Sequence, residues 1–121
     1  MFKQLAAILF ALVAFDVIYF QFTFAGFSKM VTRIQGSPIQ MRLESAVVCY
    51  LALAGLLYYF IIIPGKPATD AALLGLGTYA VYDATNYAVL KEYDLQFAVM
   101  DSLWGGALFY LVTSLVYWMK I

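Results

Sequence analysis

The chain is 121 residues long, 65% hydrophobic and only 12% charged, with a mean hydropathy of +0.88. A water-soluble domain of this size carries about 25% charged residues and leaves much of its surface wet, so this composition excludes one. Seven basic and seven acidic residues cancel, which leaves no basic field for nucleic acid, and the absence of His beside a single Cys excludes the usual zinc, haem-His and Cys/His centres.

About 20 mainly apolar residues are needed to cross the hydrocarbon of a bilayer. The first such run is residues 5–27, with Asp16 its only charge. Lys3 and the following QLAAILFALVAF resemble the start of a signal peptide. The apolar stretch runs on past Asp16 without a small-x-small cleavage site, so it reads as a retained membrane helix. SKMVTRIQGSPIQMR then reads as a polar, irregular connection punctuated by Gly36-Ser37-Pro38. The second span, 44–63, holds Cys49 as a small packing residue and stops at Pro64-Gly65-Lys66-Pro67. Asp70 caps or flanks a third span over 71–90. Lys91-Glu92-Tyr93-Asp94 makes the next turn, with Asp94 as N-cap of a fourth span over 95–119 whose end, YWMKI, suits a headgroup region.

Backbone polarity makes these spans helices, since four short strands could not close a lipid-facing barrel. The expectation is an all-α, four-transmembrane-helix bundle: one integral-membrane domain over 1–121, surrounded by membrane lipids, with both termini on the same side. Lys3, Lys66 and Lys120 fall on the side of the termini, and Lys29, Arg33, Arg42 and Lys91 on the other. Three side chains against four barely favours cytoplasmic first and third loops under the positive-inside rule.

The candidate site comes from acids placed where they are costly. Asp83 and Asp101 lie at similar distances before and after the third turn, so an antiparallel hairpin puts both at about 13 Å from its midpoint. Asp16 lies near the centre of the first span. A closed bundle therefore gathers three aspartates, with Arg42, Glu44 and Lys91 as a rim on the side of that turn. Carboxylates in a dry membrane need protons, cations or donors. Tyr79, Asp83, Asn86 and Leu90 follow one another at helical offsets and form one stripe. Asp101, Trp104, Gly105 and Leu108 form the facing one, and Tyr19 follows Asp16 by three positions as Trp104 follows Asp101.

The run YDATNYAVLKEYDLQFAVMDSLWG, through Tyr82, Asp83, Thr85, Asn86, Leu90, Asp101, Trp104 and Gly105, resembles the signature half of a bacterial membrane-protein family, the domain of unknown function DUF2177. The first helix adds DVIYF from Asp16, with Tyr19 where a tryptophan would also suit the pattern, and Phe27 near its end. The resemblance spans nearly the whole chain and implies a small multi-spanning protein of a bacterial-type cytoplasmic membrane. It implies no reaction, ligand or catalytic residue.

Three classes of function remain. A channel- or carrier-like protein for protons, cations or small solutes would use Asp16, Asp83, Asn86 and Asp101 around a polar interior, with a homo-oligomer supplying a continuous path if four helices are too narrow. A structural or partner-binding protein would use the same acids as a packing network. A lipid-modifying enzyme would divide acid and base roles between Asp83 and Asp101, or hold a divalent metal with Asp16. No catalytic residue, acidic metal motif or cofactor is identified by any motif.

Overall fold

The computed structural model describes residues 1–121 as four helices and no strands: α1 Phe2–Gln35, α2 Leu43–Leu57 continued by a π-helical turn Tyr58–Ile62, α3 Ala68–Val89 and α4 Leu95–Met119. The all-α bundle is as expected. α1, α2 with its π turn, and α4 are each long and apolar enough to cross a membrane. α3 has the length, about 33 Å, but its Asp, Asn, Thr and Tyr residues leave it short of the hydropathy of the other three. Large apolar side chains such as Phe10, Phe22, Leu73 and Val81 point outward and exposed, the surface expected where lipid replaces water as the outer solvent.

α1 departs from its expected end. The polar run after Phe27 stays helical to Gln35, where Gly36 takes a left-handed conformation (φ 74°) and its N–H closes on Thr32 O at 2.9 Å, as a C-terminal glycine does. The extension is helical because its inner face has a partner. Met30, 1% exposed, packs with Tyr93 and Ala98 beneath the α3–α4 turn, and the Phe27 and Phe97 rings stack at 5.2 Å. Arg33 then donates to Asp94 Oδ1 at 2.9 Å. Asp94 occupies the N-cap position of α4 but makes no side-chain capping bond; its carboxylate turns to Arg33 instead.

The π turn ends α2 ahead of Pro64. A proline has no N–H to give the carbonyl four residues back and its ring crowds that group. The ladder widens, with Ile63 N–H bonding Tyr58 O at 2.9 Å. Across the bundle, α3 and α4 are the closest pair. A methyl group at Gly75 would meet the Gly105 carbonyl and the Phe109 side chain, and one at Gly105 would meet the Tyr79 ring, so both glycines permit a close backbone approach. α4 also packs on α1 around Ile8, Leu12, Leu108, Phe109 and Val112, all fully buried. α2 packs on α1, and it is the π turn that carries its contact to α3. Gln4 Nε2 donates to Ile121 O at 3.1 Å, bringing the two chain ends together at one end of the bundle.

Candidate functional site

The aspartates arise on three helices, and each meets a different environment. Asp16, 7% exposed on α1, accepts from Tyr50 Oη of α2 at 2.5 Å on one oxygen and from Trp104 Nε1 of α4 at 2.8 Å on the other. Both bonds cross between helices. The Trp104 ring lies flat on that of Tyr19, with centroids 4.4 Å apart and planes 4° from parallel. The three-residue spacing on α1 thus serves one assembly, with Asp16 holding the indole N–H and Tyr19 stacking on its face.

Asp83 on α3 is 1% exposed. Its Oδ1 accepts from Tyr93 Oη at 2.7 Å, and Ser102 Oγ lies 3.4 Å from Oδ2. Ser102 has one hydroxyl proton, and a shorter contact places it on Ala98 O at 2.8 Å, so Tyr93 is the firm partner of Asp83. Burial, then the bond to Asp83, hold the Tyr93 phenol above its ordinary range, and it stays a donor through neutral pH. The Asp101 carboxyl, half-buried on α4, lies within direct interaction range of Asp83. Its hydrogen-bonding partner is the Asp83 carboxyl, and no tyrosine, tryptophan or backbone N–H donates to it.

Asp16 and Asp101 share the wall of a cleft of about 330 Å³ that draws on all four helices. Tyr19, Tyr50, Tyr79, Tyr82, Phe97 and Trp104 supply half of the other lining residues, with Cys49 beside them. The cleft lies where α2 stands away from α3. Asp83 lines a different depression, on the other side of α3 and α4 with Ser102 and Tyr87. Of the residues singled out by sequence, Asp16, Tyr19, Tyr79, Asp101 and Trp104 therefore come together at one cleft. Asp83 stands behind Asp101, and Asn86 sits half-buried one turn further along α3, off the cleft wall. Arg42, Glu44 and Lys91 are exposed at the loop end of the bundle and line neither depression.

Cys49 is exposed at the cleft rather than packed in a core, which corrects the sequence expectation; α2 packs closely on α1 but not on α3 or α4. Tyr50, Tyr93 and Ser102 were missed as partners of the acids. A tyrosine in an apolar run gives no local sign of the helix it will bond. No group of three acid or thiol side chains converges closely enough to hold a metal ion, and no lysine or arginine lines the cleft. The arrangement can accept hydrogen bonds or face a positive charge at Asp101, and bury carbon against aromatic rings.

The profile of a family described as "Predicted membrane protein (DUF2177)" matches residues 1–118. No curated protein and no solved structure matches the chain.

Proposed function

The chain belongs to the DUF2177 family of predicted membrane proteins, and from that premise we propose that it is a carrier-like protein whose cleft binds a small, largely apolar solute. The cleft itself carries the reading: a cavity of about 330 Å³, near the lower end of the usual ligand-pocket range of roughly 300–1,000 Å³, with two carboxyl groups in an aromatic wall. The gap between α2 and α3 supports entry from the side of the bundle. On this reading α3 is the fourth span, both termini share a side, and the membrane is a bacterial-type cytoplasmic one. One chain lines the whole cleft, so binding on this reading does not require a homo-oligomer.

Cys49 is the protein's only thiol and lies on the cleft wall, which gives a direct test in proteoliposomes. Ethyl methanethiosulfonate modifies it, and 2-phenylethanol, phenethylamine and phenylacetate serve as neutral, cationic and anionic probes of one shape. At least one probe is expected to slow modification saturably. Ala46→Phe, which fills part of the wall, is expected to remove that protection. The reading fails if no probe protects Cys49 in the unsubstituted protein.

A packing role has its own observation at Asp16, whose two oxygens both hold donors from other helices. We assign Asp16 and Asp83 to holding the cleft's walls together, and Asp101 to its contents.

A further inference from the structure

The content of the cleft can be narrowed from the polar groups left over once the protein has satisfied its own. Asp16 accepts from Tyr50 and Trp104, and Asp83 accepts from Tyr93. Asp101 lines the cleft, takes no tyrosine, tryptophan or backbone donor, and meets only the carboxyl of Asp83 behind it, which leaves it acceptor capacity on the cleft side. The Tyr19 hydroxyl, on the same wall, is buried without a partner and lies within electrostatic reach of Asp101. An acceptor and an unpaired hydroxyl thus stand near each other among aromatic faces.

An anion has nothing to meet there, because the wall holds carboxyl groups and no lysine or arginine. A bare inorganic cation would need several oxygen ligands to replace its water, and no such group of acids converges. A cation that keeps its charge on an N–H group and its bulk in carbon fits both halves of the wall. Its N–H groups can be donated to Asp101, and to the buried Tyr19 oxygen once that ring turns toward the cleft, and its charge can lie against the faces of Tyr79 or Phe97, where aromatic rings attract cations. Resting on the cleft-binding reading above, we infer that the solute is a lipophilic protonated amine, held at Asp101 with its carbon skeleton against the aromatic wall.

The test compares phenethylamine with 2-phenylethanol, which is nearly the same size but carries no charge, as protectors of Cys49 in proteoliposomes at neutral pH, each normalised to its partitioning into protein-free liposomes. The amine is expected to protect at about 30-fold lower concentration, the scale of losing one member of a buried charge pair. Asp101→Asn is expected to erase that preference and Asp101→Glu to restore most of it, while Tyr19→Phe reduces it less. Equal protection by amine and alcohol, blocked by Ala46→Phe, would overturn the amine assignment and leave the cleft reading standing. Loss of protection by every probe overturns both. The comparison of two probes on the unsubstituted protein decides the matter even if Asp101→Asn does not fold.

Discussion

Asp16 and Asp101 share one cleft wall but have opposite accounts with their surroundings. Each donor held by Asp16 is itself buried or half-buried, and stranding one costs about 1–3 kcal/mol. Asp16→Leu strands both Tyr50 and Trp104 and is expected to lower stability by more than Asp16→Asn, which keeps one acceptor. The same order is expected at Asp83, where Asn retains an acceptor for Tyr93 and Leu retains none. Reversible unfolding of the four variants in bicelles checks both, and equal losses for Asn and Leu would contradict the packing role. Arg33 and Asp94 are each about half exposed, so Arg33→Ala is expected to cost no more than ~1 kcal/mol in the same measurement.

The elements were largely legible in the sequence because span length is a property of contiguous residues. The runs 44–63, 71–90 and 95–119 lie within a few residues of α2 with its π turn, α3 and α4. The matched depth of Asp83 and Asp101 was legible too, since a short turn between antiparallel helices fixes it by arithmetic. Ser28 to Gln35 was not: those residues look polar in a row, and what makes a helix of them is the packing of Met30 on Tyr93 and Ala98, more than 60 positions from it. The bond from Tyr50 to Asp16 escaped for the same reason, because two apolar helices offer many pairings that their own sequences do not rank. The glycines on the α3–α4 seam make a sharper prediction. Gly105→Ala and Gly75→Ala drive a methyl into a facing side chain or carbonyl and are expected to cost about 1–3 kcal/mol, as overpacking does. Gly77→Ala, inside α3 with nothing within 4 Å, is expected to stabilise by about 0.5–1 kcal/mol, because alanine is the better helix former. Thermal unfolding of the three variants separates the seam from the general effect of changing a glycine.

At the scale of the whole molecule, α4 is the shared support: α3 lies on one side of it and α1 on another, while α2 is held through α1 and its π turn. The bond from Gln4 to Ile121 joins the chain's two ends, and reporters fused to the two termini are expected to give the same sidedness in a membrane. Opposite sidedness would remove α3 as a span. That helix has a consequence for how the protein is made. With Asp83 and Asn86 inside it and less apolar character than its neighbours, α3 is a poor passenger by itself, and a ribosome that has delivered only the first 90 residues has not yet supplied Ser102 or the small surface around Gly105. On the four-span reading, the short turn from Leu90 to Asp94 brings α4 immediately behind it, so α3 and α4 would leave the translocon together as a preassembled hairpin.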